Sequence, residues 1–158
     1  MTSPEPDTTM PSRPGEAAAG ALFDAIATEH ATIYGYGVVS AHSVPEVNYL
    51  VSSAIAEHRA RREAAIALAQ QQGIDAAVPA AGYQMPLEVD DPTDATNLAV
   101  RMEEDAAVAW RAVVEQATEQ SVRAFGVTAL TECAVTAARW SVIREDRAVT
   151  VAFPGGSE

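Results

Sequence analysis

The stretch "IDAAVPAAGYQMPLEVDDPTD", residues 74–94, constrains the fold of this chain more than any other feature. It holds three prolines in 21 positions and follows Gly73, so neither a helix nor a continuous strand can run through it. On both sides the sequence reads as paired helices. A structureless connection of this length counts against a compact domain unless the fold needs the chain to travel at that point. Two antiparallel helical hairpins supply such a need, because the second must begin at the far end of the first. The expected fold is all-α, an antiparallel four-helix bundle with a long crossover between helices 2 and 3.

The expected helices are 16–41, 46–72, 94–117 and 121–143. Much of the apolar half of the composition is alanine, which loses no side-chain entropy in a helix. Ser43 and Glu46 have capping-box spacing, Pro45 suits a first turn, and Gly73 is placed for a left-handed C-terminal cap. Pro92, between Asp91 and Asp94, marks the start of the third helix, and Thr118–Ser121 breaks the third from the fourth. Residues 1–15 are polar and proline-rich, with nothing to bury, and read as a disordered leader. The bundle is expected over 16–145, and 146–158 as a tail in loop or extended form.

With 22 acidic and 10 basic residues the net charge is −12, a field that repels phosphate backbones and anionic lipid headgroups. Neither nucleic acid nor membrane is an expected partner, and no apolar run approaches the roughly 20 residues of a membrane helix. Cys133 is the single cysteine, which excludes an internal disulfide framework and fits a reducing, cytoplasmic setting. The N-terminus lacks the basic and apolar regions of a secretory signal. A homodimer is a possible assembly, and no motif specifies a small-molecule ligand. Phosphate loops, hydrolase elbows and zinc spacings are absent from the sequence.

In helix 1, Leu22, Ile26, Ile33 and Tyr36 form an apolar stripe whose missing member is Glu29. Helix 2 places Glu57 and Arg61 on the stripe Leu50, Ala54, Ala64, Leu68. Helix 3 aligns Glu103 with Ala99, Ala106, Trp110 and Val113, and helix 4 aligns Glu132 and Arg139 with Phe125, Ala129, Thr136 and Ile143. Glu63, Glu104 and Asp105 fall on the solvent side. Four inward carboxylates need compensation by metal ions or by cationic side chains, since an unpaired buried carboxylate costs several kcal/mol or takes up a proton. Trp110 and Trp140 read as packing anchors, Tyr34 and Tyr36 as core tyrosines, His42 as a surface or capping residue, and Cys133 as a small buried hydrophobe.

The stretches "ATEHATIYGYG", "AEHRARREA", "AGYQMPLEVDDPTDATNLAVRMEEDAAVAW" and "LTECAVTAARW" span most of residues 20–143. Through them the chain resembles the ferritin-like superfamily and, more narrowly, the actinobacterial ferritin-like domain of unknown function DUF4439. Ferritin-like di-iron proteins draw a glutamate from each of two helices and a Glu-x-x-His from each of the other two. The resemblance implies carboxylate positions at Glu29, Glu57, Glu103 and Glu132, the residues that would hold a di-iron or di-manganese centre if one is present. The two histidine positions, however, are Ala60 and Val135. His58 adjoins Glu57 and projects about 100° away around the helix. Arg61 and Arg139 can reach the axis beside the carboxylates. The expectation is therefore a non-catalytic module with no cofactor, its degenerate metal site filled by a charged network of Glu29, Glu57, Arg61, Glu103, Glu132 and Arg139. The alternative is a carboxylate-rich di-metal oxidoreductase or iron-handling protein.

Overall fold

The computed structural model describes residues 10–156. Its helices are α1 (Ala17–His42), α2 (Asn48–Gln71), α3 (Pro92–Gln116) and α4 (Gln120–Ile143), with a 3-10 turn at Pro45–Val47 before α2. The bundle is all-α, and each helix boundary lies within two residues of the sequence expectation. Residues 1–9 of the expected leader lie outside the described residues. At Arg13, next to α1, the guanidinium pairs with Asp24 at 2.8 Å on the surface.

Helix ends follow from backbone groups seeking partners. The Glu16 carboxylate accepts from the amides of Ala18 and Ala19 and opens α1. Asp91 accepts from Thr93 and Asp94 with Pro92 at the first helical position of α3. At the end of α2, Gly73 has φ +69°; its amide donates to Gln70 O and that of Ile74 to Ala69 O, the paired bonds of a Schellman cap. The Ser43–Glu46 capping box does not form. Ser43 instead donates both its hydroxyl and its amide to Val39 O, closing α1, because that carbonyl is left without a helical partner. The 3-10 turn then delays α2 to Asn48, with no side-chain cap.

Contacts such as Glu29 with Trp110 and Tyr36 with Glu103 show α1 and α3 antiparallel; Arg61 with Glu132 and Glu57 with Arg139 show the same for α2 and α4. The crossover carries the chain back along the bundle, tied to α1 by His30, whose ring nitrogen lies 3.1 Å from Ala77 O, and by Tyr83, which packs on Tyr34. Helix α3 packs closely on α1 and α4, and α1 on α2, while α2 barely touches α4. No helix among the described residues is long and apolar enough to cross a membrane.

The core divides into two apolar clusters. One gathers Leu22, Ile26, Trp110, Val113 and Val122 around one half of the bundle. The other gathers Tyr36, Val39, Leu50, Val51, Leu98 and Trp140 around the opposite half. On every helix the two sets are separated along the chain by polar or charged positions, so a polar layer crosses the bundle between them.

Candidate functional site

Four ionisable side chains make up the centre of that layer: Glu29 from α1, His58 and Arg61 from α2, and Glu103 from α3, all buried. His58 Nδ1 lies 2.7 Å from Glu29 Oε2, and Nε2 lies 3.0 Å from Glu103 Oε1. Ionised carboxylates only accept, so an imidazole facing one on each side must donate from both nitrogens, which makes it an imidazolium. Arg61 also comes within 3.1 Å of His58 Nδ1. That nitrogen's proton is already committed to Glu29, so the approach is one of two cations sharing a carboxylate and not a hydrogen bond.

Burial alone would lower the His58 pKa, but the hydrogen bonds to Glu103 and Glu29 and their charges outweigh it and raise it to about 9. Burial likewise acts to raise that of Glu29. The hydrogen bond from and charge of His58, the charge of Arg61 and the bond from Trp110 more than offset it, leaving Glu29 below the usual carboxylate range. Glu29 Oε1 accepts from Trp110 Nε1 at 2.7 Å and from Arg61 at 3.3 Å. Arg61 extends through the open α2/α4 side to Glu132, with Nε and NH2 donating to Oε2 at 3.2 and 2.9 Å, and its NH1 lies 3.3 Å from Cys133 Sγ.

On the other side, Tyr36 donates to Glu103 Oε1 at 2.5 Å and accepts from Trp140 Nε1 at 2.9 Å. Burial, then the charge of Glu103, hold the Tyr36 phenol well above its ordinary value, so it remains a donor. Burial raises the Cys133 thiol well above its ordinary value even against the charge of Arg61, so Cys133 is a neutral thiol. The other Glu103 oxygen, Oε2, is buried without a hydrogen-bond partner. The fully buried part of the layer thus balances Glu29 and Glu103 against His58 and Arg61.

The structure brings Glu29, Arg61 and Glu103 together in the core, as the stripes indicate. Glu132 joins only at the rim, its side chain 49% exposed. Glu57 and Arg139 do not join: they face each other at 4.0 Å on the surface, 38% and 53% exposed. The reason is a rotation of one residue, about 100°, on two helices. On α2 the buried set is Ala54, His58, Arg61, Ala65 and Ala69, and on α4 it is Ala129, Cys133, Thr136 and Trp140. Glu57, Glu132 and Arg139 each sit one position beside an inward residue.

Sequence reasoning therefore missed His58, which takes the inward place assigned to Glu57, and read Trp110 and Trp140 as packing alone, where each also donates a hydrogen bond to the network. The spacing of Ala54, His58, Arg61, Ala65 and Ala69, in steps of four, three, four and four, was the available signal for His58. Among the described residues no group of three or more His, Cys, Asp or Glu side chains converges as a metal site.

The structure is similar to the crystal structure of a conserved hypothetical protein, rv2844, from Mycobacterium tuberculosis, with a TM-score of 0.80 and 54% identity over 82% of this chain and 98% of that one. No curated protein matches the sequence. The profile of DUF4439, a domain of unknown function, matches residues 21–158. With nearly all of the bundle and its tail inside that match, the chain belongs to the DUF4439 family.

Proposed function

We propose that this domain is a ferritin-like bundle whose metal centre has been replaced by cations of its own chain, and that it serves as a non-catalytic structural or interaction module in the cytoplasm. The observation that carries this reading is the position of His58 and Arg61, between the carboxylates at the middle of the bundle, where they satisfy Glu29 from two sides and link it to Glu103 and Glu132.

The donor set does not fit a di-iron or di-manganese centre. Both nitrogens of His58 are turned to carboxylates and protonated, so neither offers a lone pair. The Glu-x-x-His positions hold Ala60 and Val135, which are exposed. Glu57, required as a ligand in such a site, faces outward. Arg61 cannot lose its proton and places a fixed positive charge against Glu29 and Glu132, two of the carboxylates such a centre would need. Among the buried side-chain atoms of the described residues, Glu103 Oε2 is the one without a hydrogen-bond partner.

Elemental analysis of the full chain, purified from cells supplied with iron and manganese, tests the proposal. The expected metal content is well below one ion per chain, whereas about two ions per chain would overturn it.

A further inference from the structure

Beyond the central layer, the outer surfaces of α3 and α4 and the segment after α4 enclose a groove of about 830 Å³. The segment is anchored at both ends. At one end the amide of Asp146 donates to Ser141 O at 3.0 Å, turning the chain back over α4. At the other, Gly155 has φ +72° and lies so close to α3 that an added Cβ would stand 2.5 Å from Ala107 O. Residues 147–153 arch between these points as a strap. Val108, Leu130, Val142, Val149, Val151 and Phe153 line the space beneath and beside it. Several are large apolar side chains left substantially in water, Val142 at 60% and Phe153 at 66% exposure.

We infer that this groove is a binding site for an uncharged small molecule bearing an extended apolar chain. Its volume lies within the roughly 300–1,000 Å³ of small-molecule sites, and its lining is mostly aliphatic with a polar rim, the composition of such sites. The charge pattern selects an uncharged ligand. Three arginines, Arg101, Arg139 and Arg144, stand against three acids, Glu104, Asp105 and Asp146. Arg101 is closed on Asp105 and Arg144 on Asp146, leaving no free cation to hold an anionic headgroup; the remaining acid, Glu104, is exposed at the rim, where water and salt screen its hold on a cationic one. Arg139 is turned toward Glu57 of α2. A second copy of the chain is a poorer occupant, since each copy carries a net charge of −12 and approaches the other against that repulsion. The strap makes the site concave, which suits a slender chain and not a flat protein face.

The test is a fluorescence titration of the full chain with N-phenyl-1-naphthylamine, an uncharged probe that brightens in apolar surroundings, followed by displacement with dodecanol. Saturable uptake of one probe per chain and its displacement by the alcohol are expected. Val108→Asp puts a charge against the apolar wall and should weaken binding at least tenfold. Circular dichroism of that variant should be unchanged, because Val108 is itself half exposed. Gly155→Ala, which the φ and the Ala107 carbonyl disfavour, should release the strap and weaken binding several-fold. Tyr49→Ser, at an exposed apolar position on α2, should leave binding as it is. Non-saturable uptake, or unchanged affinity in folded Val108→Asp, overturns the proposal. So does a concentration-dependent dimer that takes up no probe and that Val108→Asp dissociates, since the groove would then be a contact between copies.

Discussion

Raising the pH through the His58 transition should loosen the bundle by an amount the structure sets. The imidazolium is held by Glu29 and Glu103, and its pKa rises from 6.5 to about 9. A tenfold change in proton affinity is worth about 1.4 kcal/mol, so the full stabilisation is about 3 kcal/mol. Because the folded value lies above the unfolded one, that stabilisation is complete below pH 6.5 and is lost as pH rises through 9. Urea unfolding of the full chain from pH 6 to 8.5 should show a fall of about 2 kcal/mol. Tyr36 stays protonated below pH 8.5 whether folded or unfolded, and the Cys133 thiol, neutral when buried, ionises in the unfolded chain only toward the top of this window, adding at most about 0.5 kcal/mol to the fall. In His58→Gln the protein should be less stable at pH 6 and should lose the fall over the same range, keeping at most a small rise with pH from His30, whose burial lowers its pKa in the folded state. A flat wild-type profile would refute the imidazolium reading, as would a fall of about the same size that survives in His58→Gln.

Three further outcomes follow from the same geometry. Arg61→Ala leaves Glu29 short of a buried cation and should cost on the order of 3–5 kcal/mol in chemical denaturation, whereas Glu57→Gln, on the surface, should change stability by less than about 0.5 kcal/mol. Glu103→Gln keeps an acceptor for Tyr36 and His58 but places an amide where Oε2 has no partner; it should destabilise by about 1–3 kcal/mol and move the pH midpoint below 9, because His58 loses one of its two negative neighbours. Gly73→Ala forces a side chain into φ +69° and should cost about 1 kcal/mol, read as a lower melting temperature with unchanged helix content.

The helices and the crossover were legible because their signals are redundant: alanine content, proline and glycine punctuation and apolar period all agree. The Ser43–Glu46 pair was misleading because a carbonyl at the end of the preceding helix competes for the same serine, a contest that local spacing does not reveal. Glu29 and Glu103 could be read as inward because strong apolar neighbours bracket them. Glu57, Glu132 and Arg139 could not, because α2 carries alanine on several faces and α4 carries alanine, threonine and valine on several. On such helices a stripe can be drawn through either of two adjacent positions. His58 and Cys133 hold the inward places because burial on those helices follows the partner helices, not hydrophobicity alone. The pairing of one imidazolium with two carboxylates depends on three helices meeting, which no single helical wheel contains.

The sparse packing between α2 and α4 sets which part of the molecule opens first. Helix α2 buries mainly alanines, Ala54, Ala65 and Ala69, beside Leu50 and Val51, and rests chiefly on α1. Its remaining hold on the other helices is ionic, and the ions regain their hydration when it swings away, which offsets much of the lost attraction. In native-state hydrogen exchange, therefore, the α2 amides should form a cooperative unit of lower protection than those of α3, whose Leu98, Val100, Trp110 and Val113 are packed from two sides. Alkaline pH, by removing the His58 proton, should widen that gap, so that the midsection of this bundle behaves as a latch on one helix.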